Sequence, residues 1–113
     1  MNQRELIDLV LNQTVAYEDY PFSNGKQTSS SLAAVIRHTS NHKTIAIILE
    51  KDQQLLLNLK LTPEHVAEVI QTRGVIPGYH MNKTHWVSVQ INETDVTSKE
   101  LANMISESDE LTK

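Results

Sequence analysis

The stretch that decides the fold reads TIAIILEKDQQLLLNLKL and covers residues 44–61. Residues 44–50 are rich in β-branched side chains, which is typical of a short β-strand. Residues 54–61 alternate, with four leucines on one face and Leu56, Asn58 and Lys60 on the other. Because only a short turn separates the two segments, they are predicted to pair as antiparallel neighbours.

The preceding residues extend this pattern toward the N-terminus. Residues 30–39 alternate as well, with Leu32, Ala34 and Ile36 facing one way and the residues between them facing the other. A turn at residues 40–43 completes a predicted three-stranded antiparallel meander. Further upstream, apolar residues at helical spacing predict a helix over residues 2–16. Asn2 is its expected cap, with Glu5 three residues later resembling a capping box. A loop is predicted over residues 17–27, which include the turn signal Asn24-Gly25.

The following residues predict a helix, a hairpin and a second helix. Thr62-Pro63-Glu64 is a helix start, and Gly74 is the expected left-handed stop. Residues 84–91 alternate so that Trp86 lies opposite the valines, and Tyr79–Met81 is the suggested partner strand. Thr97 opens the last helix, and residues 106–113 are expected to fray.

These elements predict an α+β fold. The order α-β-β-β-α-β-β-α implies two layers, with the helices packed on an antiparallel five-stranded sheet. A chain of 113 residues suffices for one core, so residues 1–113 are expected to form a single domain.

Composition narrows the class of protein. The chain has no cysteine, which excludes disulfides, thiol nucleophiles and thiolate metal sites. It has no apolar run of the roughly 20 residues that a membrane span needs, so no membrane partner is expected. The first eight residues lack the apolar core of a signal peptide, and a cytoplasmic location is therefore expected. A monomer is the favoured oligomeric state.

Charge is distributed unevenly along the chain. The net charge is −4, yet residues 26–85 hold seven Lys and Arg against four Asp and Glu, together with all five His. The remaining residues hold three cations against ten acids. An anionic partner would therefore approach the middle of the chain, although acids that simply solvate helix ends explain the same pattern.

Motifs for catalysis are missing from the sequence. The His residues show no metal-ligand spacing, no Ser lies in a Gly-x-Ser-x-Gly elbow, and three glycines cannot form a Gly-rich phosphate loop. The protein is therefore expected to be non-enzymatic, with no cofactor and no metal.

One segment concentrates chemistry at residues 78–86, GYHMNKTHW, which holds two aromatic side chains, two His and a Lys. Alternation places Trp86 on the outer face of its strand, where it could stack on a base or another side chain, unless a loop or helix caps it. The candidate binding residues for nucleic acid or a partner are Arg37, Lys43, Lys60, Tyr79, Lys83, His85 and Trp86.

At this segment the chain resembles the MmcQ/YjbR family of small bacterial proteins. The specific part of the resemblance is Asn82-Lys83-Thr84-His85-Trp86. Weaker matches are Leu59-Lys60, Thr62-Pro63-Glu64, residues 75–81, Tyr20-Pro21-Phe22 and Ser108. Asp109 stands where the family often has Tyr, and Ser23 where it usually has Gly.

The resemblance implies a CyaY-like or secretion-chaperone-like α+β domain with a "double-wing" DNA-binding role. Two functions stay open at this point. One is DNA binding, with the lysines and Arg37 on phosphates and with Tyr79 and Trp86 stacking. The other is a protein-interaction or chaperone-like role, in which the Tyr79–Trp86 surface or a sheet edge docks a protein partner. A small-ligand site or enzyme that uses Lys83 and His85 ranks third.

Overall fold

The structure, a computed structural model, describes residues 1–22 and 33–113. Within them lie three helices and six strands. Their order along the chain is α1 (Gln3–Gln13), β1 (Ala16–Asp19), β2 (Ala34–His38), β3 (Thr44–Lys51), β4 (Gln54–Lys60), α2 (Pro63–Val69), β5 (Val75–Pro77), β6 (Trp86–Gln90) and α3 (Ser98–Leu111).

All six strands form one antiparallel sheet in the order β1-β2-β3-β4-β6-β5. The chain leaves β4 through α2, reaches the edge as β5 and returns as β6 beside β4. Helices α1 and α3 pack together on one face of the sheet. We call the other face, on which none of the described helices packs, the open face.

The core lies between this sheet and its helices. The leucines of β4 that alternate as predicted, Leu55, Leu57 and Leu59, are buried there together with the valines of β6. The helices contribute their apolar stripes to the same core: Leu6, Ile7, Val10, Val66, Val69, Met104 and Ile105. Burial of this apolar surface is the main force holding the layers together.

The predicted five-stranded sheet is wrong by one strand, because residues 16–19 form β1 rather than the end of a helix and the start of a loop. The actual order is α-β-β-β-β-α-β-β-α. None of the four residues of β1 is fully buried, so the strand has no apolar alternation to reveal it. It exists because its backbone pairs with the edge of β2.

The predicted partner of β6 is also wrong. β6 pairs with residues 75–77 rather than with Tyr79–Met81, which lie in the connecting loop. Gly78 ends the pairing by donating its N–H to the carbonyl oxygen of Trp86 at 2.9 Å. A Cβ at this position would lie 2.8 Å from the Cβ of Trp86, so only glycine allows so close an approach.

The C-terminal tail does not fray as predicted. Helix α3 continues to Leu111, and Ser108 and Thr112 are both buried. The Thr112 hydroxyl lies 2.7 Å from the imidazole of His38, which is itself only 4% exposed. These buried polar contacts keep the C-terminal segment ordered, although its polar composition predicts a solvent-exposed tail.

Other local predictions are confirmed. Capping boxes open α1 at Asn2 and α3 at Thr97, and Thr62 caps α2. The exception is Gly74: its φ of 84° is left-handed as predicted, but α2 already ends at Val69 with Ile70 as its C-cap, so Gly74 lies in the turn before β5 and is not the helix stop. The Asn24-Gly25 turn and the first residues of the strand predicted over 30–39 lie outside the described residues. No described helix is long and apolar enough to cross a membrane.

The two-residue turn between β3 and β4 allows a stability prediction. Asp52 and Gln53 both have positive φ, at 51° and 65°, and the pair Lys51–Gln54 closes the hairpin. Left-handed backbone at both central residues is the geometry that favours Gly at the second of them. We expect Gln53→Gly to raise the free energy of unfolding by about 0.5–1 kcal/mol. The check is urea denaturation of both proteins.

The adjacent variant Gln54→Gly is the matched control, because Gln54 lies in β4 rather than in the turn. Glycine inside a strand loses more entropy on folding, so this variant should be less stable than the parent. Destabilisation by both variants would refute the turn geometry.

Candidate functional site

Trp86 and Lys60 lie side by side on the open face. They are register partners at the ends of β6 and β4, so their side chains project from the same face. Val87 and Val89, which alternate with Trp86, are buried in the core, as predicted. Trp86 and Lys60 are both half-buried, so neither is fully enclosed.

The same end of the open face carries Tyr17, Arg37 and Thr44. Tyr17 pairs with Arg37 and Arg37 pairs with Thr44 across β1, β2 and β3. Alternation along β2 and β4 places this set on the same face as Lys60. We call the group the aromatic-basic row; it comprises Tyr17, Arg37, Thr44, Lys60 and Trp86.

The Lys and Arg side chains at this end of the sheet differ in whether an acidic side chain neutralises their charge. Arg37 donates to Asp19 at 2.8 Å and to Thr44 at 3.3 Å, so its charge is partly neutralised. Lys43, in the exposed turn before β3, and Lys60 form no ion pair within residues 1–22 and 33–113. Lys83 also lacks an ion pair there, and its ammonium donates to the carbonyl oxygen of Gly78 at 3.0 Å.

Ser108 of α3 fixes the backbone of Lys60. Its hydroxyl donates to the carbonyl oxygen of Ile45 at 2.6 Å and accepts from the Lys60 N–H at 3.0 Å. The β3–β4 register would put Ile45 opposite Lys60, but the regular pairing stops at Ala46 and Leu59. The hydroxyl thus bridges a break in the ladder where β3 also shifts register against β2.

Tyr79 lies away from the row, over the opposite end of the open face. The ammonium of Lys51 lies 4.9 Å from the centre of its ring, and the His80 ring packs on it at 4.1 Å. A hydrogen bond to Asp52 raises the pKa of Lys51 above its ordinary value, so its ammonium stays charged at neutral pH. The row and this second aromatic contact are separate parts of one face.

A buried polar chain attaches the Tyr79 loop to the sheet. The Tyr79 N–H donates to the Ser88 hydroxyl at 2.8 Å, and Ser88 in turn donates to the side-chain oxygen of Asn58. The Asn58 amide donates to the carbonyl oxygen of Ile47 at 3.2 Å. Ser88 and Asn58 are 0% and 1% exposed, so each bond is made away from water and each partner is needed.

The remaining candidate, His85, belongs to the other face. It precedes Trp86 by one residue, and its carbonyl oxygen accepts from Leu61 in continuation of the ladder. Alternation therefore directs its side chain toward the helix-covered side. Of the seven residues chosen from the sequence, the sheet brings Arg37, Lys60 and Trp86 into one row and leaves Tyr79 and His85 outside it.

Two residues of the open face are not among those predicted from the sequence. Tyr17 was assigned to a loop, and its pairing with Arg37 depends on a strand with no apolar signal. Lys51 falls in the predicted turn between residues 50 and 54, whereas the structure places it in β3, two residues after Leu49 and on the same face. No group of three or more His, Asp or Glu placed to hold a metal ion occurs in the part of the chain that the structure describes.

Fold and surface together define a small α+β protein with one helix-covered and one open sheet face. A family model described as YjbR matches residues 11–111, so the chain belongs to the YjbR family. It is 34% identical to "Uncharacterized protein YyaQ" of Bacillus subtilis (strain 168), over 84% of each chain.

Solved structures with the same fold include proteins from Pseudomonas syringae and Deinococcus radiodurans. A crystal structure of a Pseudomonas syringae protein superposes with a TM-score of 0.82 at 29% identity, covering all of both chains. The Deinococcus radiodurans protein DR2400, with a domain named DUF419, superposes with a TM-score of 0.70 at 27% identity; the match covers 98% of this chain and 78% of that one.

Proposed function

We propose that the open face binds single-stranded DNA through the aromatic-basic row. The observation that carries this proposal is the register pairing of Lys60 with Trp86 on a face where none of the described helices packs. An indole beside an ammonium can stack on a base while the cation contacts a neighbouring phosphate. Tyr17 and Lys43 extend the same chemistry across the sheet.

Single strands suit this surface better than duplex DNA. Unpaired bases expose the faces on which aromatic side chains stack, whereas a duplex hides them. Duplex binders usually rely on many basic contacts, and this chain has a net charge of −4. Four described cations have no ion pair among the described residues: Lys43, Lys60, Lys83 and Lys99. Lys99 lies on α3, and the other three match a short strand with few phosphate contacts.

The sheet edges offer little for the alternative in which a peptide adds as a new strand. β1 has four residues and β5 has three, and β5 ends in Pro77. Short edges and proline leave few backbone groups to pair with an added strand. The geometry therefore favours binding on the open face over binding at an edge.

Salt dependence tests the proposal quantitatively. If Lys43, Lys60 and Lys83 each neutralise one phosphate, the logarithm of the affinity should fall with log salt at a slope of about −2. Between about 50 and 200 mM salt, affinity should then drop roughly 15- to 20-fold. The measurement is fluorescence anisotropy of a labelled oligothymidylate, with a labelled duplex titrated in parallel.

Lys60→Gln should weaken low-salt binding about fivefold and make the slope shallower by about 0.7. Lys99→Gln is the matched control. It removes the same charge as Lys60→Gln, but from α3, which packs on the other face of the sheet. Absence of micromolar binding at low salt, or equal effects of both variants, would overturn the proposal.

A further inference from the structure

A cavity of about 420 Å³ lies between the open face and the loop that follows β5. This volume falls within the range of roughly 300–1,000 Å³ that is usual for small-molecule sites. The cavity lies on the same face as the aromatic-basic row but includes none of its residues. Its apolar walls include Phe22, Ala33, Ile47, Leu49, Tyr79 and Met81.

One buried amide lies among these apolar walls. Asn58 lines the cavity and is 1% exposed, with its oxygen bonded to Ser88 and one amide hydrogen directed to Ile47. A side-chain amide has two N–H groups, and the second has no partner among residues 1–22 and 33–113. It is therefore free to donate to an acceptor atom inside the cavity.

The surroundings of the cavity favour a negatively charged ligand over a positively charged one. The described residues that line it include His80 but no Asp or Glu. Lys51 does not line the cavity, but its ammonium lies 4.9 Å from the centre of the Tyr79 ring, which does, and its partner Asp52 is an exposed neighbour that holds it weakly. His80 lies at the same wall with a φ of 58°, a backbone strain that non-glycine residues adopt most often in tight turns and functional sites.

We propose that this cavity binds a small organic acid with an apolar body, of the medium-chain acyl or aryl carboxylate class. The apolar body replaces water along the walls, and the carboxylate stays near Lys51. The free N–H of Asn58 adds a hydrogen-bond donor, which favours ligands whose apolar part carries a carbonyl or ether oxygen at the end that lies near Asn58. This site is independent of nucleic-acid binding, because none of its lining residues belongs to the aromatic-basic row.

The test uses 8-anilinonaphthalene-1-sulfonate, an apolar aromatic anion, as the fluorescent probe. We expect its emission to rise on binding, and we expect decanoate to displace it more strongly than decanol, which has the same chain length but no charge. Ile47→Phe, which fills the cavity from the sheet side, should weaken probe binding by about tenfold or more. Ile70→Phe, an exposed site on the helix side, should leave it unchanged.

Lys51→Gln separates charge recognition from general hydrophobic binding. It should weaken decanoate about threefold and leave decanol unaffected. This variant also decides the question if Ile47→Phe does not fold, because Lys51 is not part of the core. Equal displacement by decanoate and decanol, or probe binding that persists in a folded Ile47→Phe protein, would overturn the proposal. Neither result bears on the DNA titration.

Discussion

Replacing Ser108 with alanine should cost this protein about 2–4 kcal/mol of its free energy of unfolding. The variant removes one small hydroxyl, but that hydroxyl bridges the Lys60 N–H and the Ile45 carbonyl oxygen at a break in the β3–β4 ladder. Ser108 is 0% exposed, so water cannot take its place without a rearrangement. Both backbone groups would lose their partner in the interior.

Urea denaturation measures this loss, and Ser106→Ala is the matched control on the same helix. Ser106 is exposed, and within residues 1–22 and 33–113 its hydroxyl accepts only from the Gln13 side chain, so its loss should change stability by less than about 0.5 kcal/mol. Similar urea midpoints for the Ser108 and Ser106 variants would contradict this account, because they would show that the Lys60 N–H and the Ile45 carbonyl oxygen do not depend on the Ser108 hydroxyl. A local shift of the Lys60 amide resonance should accompany the loss.

Ser88→Ala should destabilise the protein by about 2–3 kcal/mol and loosen the loop over the open face. The Tyr79 N–H loses its acceptor, and the Asn58 side-chain oxygen loses its donor. The direct readout is hydrogen exchange at the Tyr79 amide, which should become much faster in the variant while the amides of β3 stay protected.

Ser98→Ala provides the control for that experiment, because Ser98 is the exposed first residue of α3. It should leave both stability and Tyr79 exchange close to those of the parent. Unchanged exchange at Tyr79 in the Ser88 variant would mean that the buried polar chain does not hold the loop.

The strongly patterned segments could be predicted from the sequence because burial on one face imposes a period of two. The four leucines at 55–61 and the valines around Ser88 identify the core face, and with it the outward direction of Trp86. The helix starts at Asn2, Thr62 and Thr97 could also be predicted, because a helix cap depends on residues that are close together in the sequence.

The rest depends on contacts between residues that are distant in sequence. β1 is a strand only because β2 offers it an edge, and its residues carry no apolar pattern. Ser108 and Thr112 look like tail residues until the helix brings them against β3, β4 and His38. For the same reason, the sequence could suggest Lys60 and Trp86 as separate candidates, while their pairing required the register of β4 and β6.

Trp86 is the single tryptophan of the chain, so its intrinsic fluorescence reports on the row without any label. Titrating the protein with oligothymidylate should quench this fluorescence along the same binding curve that anisotropy gives. Trp86→Ala should weaken binding by about 1–3 kcal/mol, the usual value of one base stacked on an aromatic ring. An indole emission that stays constant while the oligonucleotide saturates the protein would contradict binding at the open face.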